Sequence, residues 1–271
     1  MLAAMKTALL VLLLATPALA DPPDTATLIR GLASCESLET CEAARALIAL
    51  GPGVWPGLSA ALDAPDELTR FWALGVLSEV PVDAARERVA GLLGDPKVRV
   101  RAAAAFALGA AGSREATPAL LKALSDVDLN VRFAAVVALG RVRDPASVEP
   151  LVAALRDKDD EVRGYAAEAL GSVGDRRATG PLVERVEQDL NVPVRVRAAT
   201  ALGELADPSC VDGLLRAAAS EKEPPVLGAI AYALGRVGDP KAGDALRRLE
   251  GHEHEDVRVY ARDALDRLRK K

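Results

Sequence analysis

One ten-residue pattern recurs along the chain at a nearly constant interval, and it constrains the fold more than any other feature. The copies VRAAAAFALG, VRFAAVVALG, VRGYAAEALG, VRVRAATALG and VLGAIAYALG begin at Val100, Val131, Val162, Val194 and Val226. The second position of the pattern belongs to a longer column with steps of 31 or 32 residues, which reads Arg70, Arg101, Arg132, Arg163, Arg195, Leu227 and Arg258. Such a period is typical of a solenoid.

Each unit is predicted to be a helical hairpin. Apolar and small residues recur at helical spacing within the pattern, which we call helix A, and its closing Leu-Gly pair predicts a left-handed C-terminal glycine. An Asp-Pro turn follows, as at Asp144-Pro145, and the apolar segment after it, such as PLVAALRDK from Pro150, forms helix B. One hairpin cannot bury its own apolar faces. The sequence therefore predicts an all-α fold, an α-solenoid (superhelix) of about seven stacked hairpins.

The repeated unit resembles a known family. The repeats share a D-x-x-x-R pair, as at Asp128 and Arg132 or Asp159 and Arg163, which is followed by A-A-x-A-L-G, as at residues 166–171, and by a G-D-P turn, as at residues 238–240. These residues resemble the short HEAT repeats described in phycobilisome bilin lyases, and the resemblance covers about residues 55–271. It implies a solenoid with helix B on the concave surface, and residues 21–54 resemble a degenerate N-terminal capping hairpin. The family includes scaffolds, adaptors and some enzymes, so it implies the fold and not one function.

The arginine column is interpreted as structural. Four residues before an arginine stands a residue suited to cap helix A, and a cap carboxylate can also meet an arginine of the neighbouring repeat. Family resemblance implies the same ladder between stacked repeats. Its members are Asp66, Arg70, Arg101, Asp128, Arg132, Asp159, Arg163, Asn191, Arg195 and Arg258.

Residues 1–20 resemble a secretory signal peptide, with one positive charge at Lys6, an apolar run and small residues at Ala18 and Ala20. We predict cleavage after Ala20 and a periplasmic or secreted chain. The apolar run is shorter than the roughly 20 residues that span a bilayer, so we expect no stable membrane insertion after cleavage. In an oxidising compartment Cys35 and Cys41 either form a disulfide across an inter-helix turn or remain two thiols.

Candidate binding residues lie where the repeats differ from one another. Two positions after the arginine column stand Trp72, Tyr165, Arg197 and Tyr260, which are either anchors of a binding surface or side chains that fill gaps between repeats. The second candidate surface is the polar face of helix B, which carries Arg156, Arg185, Arg216, Arg247 and Arg248.

The two histidines of the chain, His252 and His254, lie in a turn that runs to Asp256 with three carboxylates. The cluster is either a metal site or a polar turn between repeats, because His254 falls at the cap position before Arg258. Deoxyhypusine hydroxylases resemble this chain in fold, but their His-Glu pairs come from several repeats. Bilin lyases need a pigment pocket that no cluster of residues here indicates.

The composition favours a non-catalytic protein. The 271 residues carry 34 Lys and Arg against 39 Asp and Glu, so the charge pattern lacks the footprint of a nucleic-acid binder. We predict an exported, monomeric scaffold or adaptor that binds a protein partner, without a cofactor. The alternative is a metal-binding or lyase- or hydroxylase-like enzyme that uses the turn from His252 to Asp256.

Overall fold

The repeat pattern folds into two kinds of helix. Each copy of the pattern forms a helix A of 13 to 15 residues, and each segment after an Asp-Pro turn or its equivalent forms a helix B of 6 to 10 residues. The computed structural model describes residues 24–81 and 83–270. The predicted signal peptide at residues 1–20 lies outside this part. The described residues contain no strand.

The helices of the described part are α1 (Thr25–Gly31), α2 (Glu42–Ala49), α3 (Trp55–Ala61), α4 (Glu67–Glu79), α5 (Arg86–Gly91), α6 (Val98–Ala111), α7 (Thr117–Ala123), α8 (Leu129–Val142), α9 (Val148–Ala154), α10 (Asp160–Val173), α11 (Thr179–Gln188), α12 (Val192–Leu205), α13 (Val211–Ser220), α14 (Pro224–Val237), α15 (Gly243–Glu250) and α16 (Glu255–Arg269). Helices A are α4, α6, α8, α10, α12, α14 and α16.

The helices pair in a different order from the one that the sequence predicts, in which each helix A pairs with the helix B that follows it. Each helix B packs extensively against the helix A that follows it, and it makes few contacts with the helix A before it. The antiparallel hairpins therefore run B then A, from α3–α4 to α15–α16, which makes seven hairpins in the described residues. Helices A also pack against one another in an unbroken row, and one core continues from Leu28 to Leu265.

Helices A approach each other at the glycine of the pattern, which is not the C-cap that we expected. A methyl group at Gly109 would lie 2.6 Å from the Cα atom of Ala138, and one at Gly235 would lie 2.7 Å from the Cα atom of Ala264. The glycine therefore provides close helix contact inside helix A. The left-handed cap lies three residues later, as at Gly112 with φ 65°.

The predicted cap residues occupy the N-termini of helices A. The side chains of Asp66, Asp128, Asp159 and Asn191 accept hydrogen bonds from backbone N–H groups of the first turn at 2.7–3.1 Å. These bonds satisfy amide donors that have no partner within the helix.

The arginines reach a different set of carboxylates, which corrects the predicted ladder. Arg132 donates to Asp157 through Nε at 2.8 Å and Nη2 at 3.1 Å, and its Nη1 donates to the carbonyl of Asp126 at 3.0 Å. The acceptor lies two residues before the next cap, not at the cap itself. The same two-bond pairs join Arg70 to Asp95, Arg101 to Asp126, Arg163 to Asp189 and Arg195 to Glu221. We call these five pairs the arginine ladder.

The ladder favours the ionised form of four of its carboxylates, those of Asp126, Asp157, Asp189 and Glu221. Burial by itself would raise the pKa of Asp157, but hydrogen bonds from Arg132 and from the backbone N–H of Asp159 outweigh it and hold this pKa below its usual value. The pKa values of Asp126, Asp189 and Glu221 are lowered by the same balance. Their contribution to stability is therefore complete above the ordinary carboxyl pKa of about 4, and it is lost as the pH falls through the lower folded-state pKa.

Between α14 and the loop before α16, other residues replace the arginine–carboxylate pair, and we call this position the last rung of the ladder. Leu227 replaces the arginine, and His252 occupies the position of the carboxylate two residues before His254. The backbone N–H of His254 donates to Nδ1 of His252 at 3.0 Å, as the backbone N–H of Asp159 donates to Asp157. Arg258 still donates to the carbonyl of His252 at 3.0 Å, as Arg132 donates to the carbonyl of Asp126. This hydrogen bond to the loop before helix A is therefore kept in α16.

The two ends of the stack differ from its middle. At the N-terminus α1 and α2 form a hairpin that packs against α4, and Cys35 and Cys41 are joined by a disulfide with Cα atoms 5.2 Å apart. At the C-terminus the outer face of α16 carries exposed Arg262, Asp263 and Asp266. Asp266 stands at the position where the five preceding helices A have glycine.

The hairpin register predicts how the solenoid tolerates truncation. A chain that ends at Gly238 keeps complete hairpins, whereas a chain that ends at Ser220 leaves α13 without α14. We expect limited proteolysis to cut α13 only in the shorter chain, because a helix of ten residues that keeps its contact with α11 but loses α14 is marginally stable. Equal protection of α13 in both chains would contradict the B-then-A pairing.

The ladder predicts the effect of removing one rung. Arg132 and Asp157 have side chains that are only 7% and 13% exposed, so Arg132→Leu should cost about 3–5 kcal/mol, because it leaves a buried carboxylate without its cation. Arg132→Leu combined with Asp157→His reproduces the residues of the last rung and should recover most of this loss. Urea unfolding of both variants measures the difference. A double variant no more stable than Arg132→Leu would contradict this account.

Candidate interaction site

Aromatic side chains from three consecutive helices A line one open groove. Phe71 and Trp72 on α4, Phe106 on α6 and Phe133 on α8 border a volume of about 680 Å³, which we call the aromatic groove. The ring centroids of Phe71 and Trp72 are 4.7 Å apart, and those of Phe106 and Phe133 are 6.2 Å apart. All four side chains are half-buried, so each ring offers part of its surface.

The position of these residues in the repeat explains why they converge. Phe71 and Phe133 follow the arginine column by one residue, Trp72 by two and Phe106 by five, and these positions lie on one face of helix A. In other repeats the position after the arginine holds glycine, alanine or valine. The groove takes up all three phenylalanines of a chain that is only 3% aromatic.

The disulfide-closed loop forms the N-terminal wall of the groove. The indole Nε1 of Trp72 donates to the backbone carbonyl of Cys35 at 3.0 Å. Leu38, at the middle of the loop, borders the groove and faces Gly75, where an added methyl group would lie 3.3 Å from the leucine. The hairpin α1–α2 thus positions Trp72 and closes one end of the aromatic groove.

Tyr165 continues the aromatic surface beyond Phe133. Their ring centroids are 4.7 Å apart, and the guanidinium of Arg197 lies 4.2 Å from the centroid of Tyr165. Arg197 also pairs with Glu168 at 3.5 Å. Trp72, Tyr165 and Arg197 therefore lie along one face, as their shared column predicts, but Tyr165 and Arg197 also pack between repeats.

Tyr260 is separate from this surface. It lies on α16, is 46% exposed and covers Gly228 of α14, where an added methyl group would lie 3.1 Å from the ring. Sequence reasoning overlooked Phe71, Phe106 and Phe133, because they occupy other columns than Trp72. The clustering of every phenylalanine within residues 71–133 was the available signal.

Four arginines of the predicted helix B surface are paired with carboxylates. Arg156 pairs with Glu184 at 3.4 Å, Arg216 pairs with Glu187 at 2.9 Å, and Arg247 pairs with Asp244. Arg185 is only 14% exposed and contacts Glu184 at 2.6 Å, so it offers little to a partner. Helix B was the second candidate surface, whereas the aromatic groove lies on helices A and includes Trp72 of the first candidate set.

Nothing in the described residues forms a metal centre. His252 uses Nδ1 as a hydrogen-bond acceptor within its own turn, and Nδ1 of His254 lies 3.8 Å from Asp256. No group of three or more His, Cys, Asp and Glu side chains in residues 24–81 and 83–270 is arranged to hold a metal ion.

Cys210, the free cysteine of the described part, is buried, and desolvation raises the pKa of its thiol to about 11. It is therefore a poor nucleophile. None of the helices in the described part is long and apolar enough to cross a bilayer.

Solved structures with a similar chain path support the solenoid. YibA of Escherichia coli is 20% identical and has a TM-score of 0.67, with 95% of this chain and 100% of that chain covered. A designed armadillo repeat protein is 21% identical with a TM-score of 0.51, and 79% and 99% of the chains are covered. At these identities the likeness shows the fold alone.

The phycocyanin lyase complex of CpcE and CpcF from Nostoc sp. PCC7120 is also similar, at 20% identity, a TM-score of 0.48, and coverage of 93% of this chain and 98% of that chain. This score is too low to support an argument about function. No functionally curated protein matches the sequence.

The family model for HEAT repeats matches four overlapping stretches of the chain, residues 55–129, 85–171, 117–189 and 179–266. These stretches extend from the start of α3 into α16, and they cover all seven hairpins described above. The chain therefore belongs to the HEAT-repeat family.

Proposed function

We propose that this protein is an exported, non-catalytic scaffold or adaptor that binds a protein partner in the aromatic groove. The observation that carries the proposal is the set of half-buried rings of Phe71, Trp72, Phe106 and Phe133 on one face of a rigid stack. Aromatic side chains contribute most of the binding energy in many interfaces. A prefolded stack binds with little loss of conformational entropy, which favours this face for recognition.

The chemistry of the groove favours binding over catalysis. Its polar lining consists of Ser78, Glu79, Arg99, Asn130 and Arg141, and Asn130 is itself bonded to Asp128. This set does not include the pairing of a nucleophile with a general base that acyl or group transfer requires. A lyase- or hydroxylase-like role for the turn from His252 to Asp256 is not supported by a specific contact, since His252 replaces a ladder carboxylate.

Affinity capture from the envelope fraction of the source organism tests the binding face. We expect the native chain and Tyr260→Ala to recover the same protein, and Phe133→Ala to recover at least tenfold less, because truncating one interface anchor costs about 2 kcal/mol or more. Tyr260 is the matched control, an exposed aromatic residue outside the groove. The far-ultraviolet circular dichroism of each variant verifies its fold.

A fourth bait separates the alternative function from the proposed one. His252→Ala combined with His254→Ala should leave capture unchanged if the turn is only a loop between repeats. Retention of the partner by Phe133→Ala, or its loss from the histidine variant alone, would contradict the proposal.

Export is tested by the mature N-terminus. When the full chain is expressed in a bacterium with its own N-terminal segment, we expect periplasmic protein that begins at Asp21, because small residues stand at Ala18 and Ala20. Intact-mass measurement should also show Cys35 and Cys41 oxidised and Cys210 free. Protein that retains Met1 and stays in the cytoplasm would contradict export.

A further inference from the structure

We propose that the aromatic groove binds an extended segment of a partner protein in which an acidic side chain stands close to two apolar side chains. The inference rests on the function proposed above and adds the chemistry of the partner. It depends on the shape of the groove and on two arginines at its edge.

The groove is shaped for a continuous chain. It is open to solvent and crosses α4, α6 and α8, so a bound segment can enter and leave without its ends being enclosed. The ring centroids of Phe106 and Phe133 are 6.2 Å apart. In an extended strand, side chains on the same side are spaced by about 6.6 Å, because the rise is about 3.3 Å per residue. Two alternate apolar side chains can therefore contact two successive rings.

The charges at the groove favour an acidic residue next to the apolar side chains of the bound segment. Arg99 on α6 and Arg141 on α8 border the groove, and both are exposed. Neither guanidinium forms an ion pair or hydrogen bond within the described residues, whereas four of the helix B arginines named above pair with carboxylates. Glu79 is the carboxylate among the bordering side chains.

The groove lining thus carries a net positive charge in a chain whose formal charge is −5. A guanidinium binds a carboxylate through two parallel hydrogen bonds, which provides specificity as well as attraction. Charge complementarity therefore favours Asp or Glu in the bound segment over Lys or Arg.

Peptide selection tests this inference. The exported chain, which is expected to begin at Asp21, is immobilised, and a library of random 12-residue peptides displayed on phage is selected against it. We expect enriched sequences with Asp or Glu within two or three residues of a pair of apolar or aromatic residues. A fluorescein-labelled copy of an enriched peptide is then titrated by fluorescence anisotropy against the protein and its variants.

Three variants locate the contact. Arg99→Glu and Arg141→Glu should each weaken binding at least tenfold, whereas Arg156→Glu, a charge reversal on the helix B surface, should change the affinity less than twofold. Replacing the acidic residue of the peptide by Lys should abolish binding to the native chain and restore part of it to Arg141→Glu. That exchange of signs identifies a direct contact.

The outcomes separate this inference from the proposed function. Enrichment of neutral or basic peptides, no enrichment at all, or affinities insensitive to Arg99 and Arg141 would overturn the inference. If a captured partner nevertheless depends on Phe133, the scaffold function stands and only the acidic segment is wrong. If capture does not depend on Phe133, the proposed binding face fails independently of the peptide result.

Discussion

The close approach of helices A is the constraint on which the rest of the structure depends. At each of the five steps from α6 to α16 a glycine faces an alanine of the next helix, and Gly109 against Ala138 leaves no room for a methyl group. This contact determines the distance between repeats, and therefore the distance between an arginine and the carboxylate in the next loop. The two-bond geometry of Arg132 with Asp157 requires that distance, so packing and electrostatics specify the same register.

Local signals were sufficient to predict the repeat, and they failed where two partners were equivalent in the sequence. The period, the helices and caps such as Asp128 depend on neighbouring residues. Each helix B, in contrast, has a helix A on either side, and only packing decides which of them it joins. Two carboxylates stand within reach of Arg101, and the structure selects Asp126 instead of the cap Asp128.

The aromatic groove was harder to predict from the sequence than the repeat, because it forms only when the helices pack. Phe71, Phe106 and Phe133 occupy different columns of the repeat, and they meet only because the helices are stacked. A search by column found Trp72 and Tyr165, and it also selected Tyr260, which lies at the far end of the stack. The residues that maintain the repeat form the arginine ladder and the glycine contacts. The residues on the exposed face of helix A take no part in either, so they can differ from one repeat to the next.

The outer face of α16 is polar, which disfavours close packing of another helix against it. Another repeat can stack on the terminal helix of a solenoid if that helix exposes an apolar face. Two molecules could stack end to end into a filament by the same contact. Here Asp266 replaces the glycine that permits close contact, and Arg262 and Asp263 are exposed. The outer face of α16 therefore has the composition of a cap, which disfavours end-to-end stacking of two molecules into a filament.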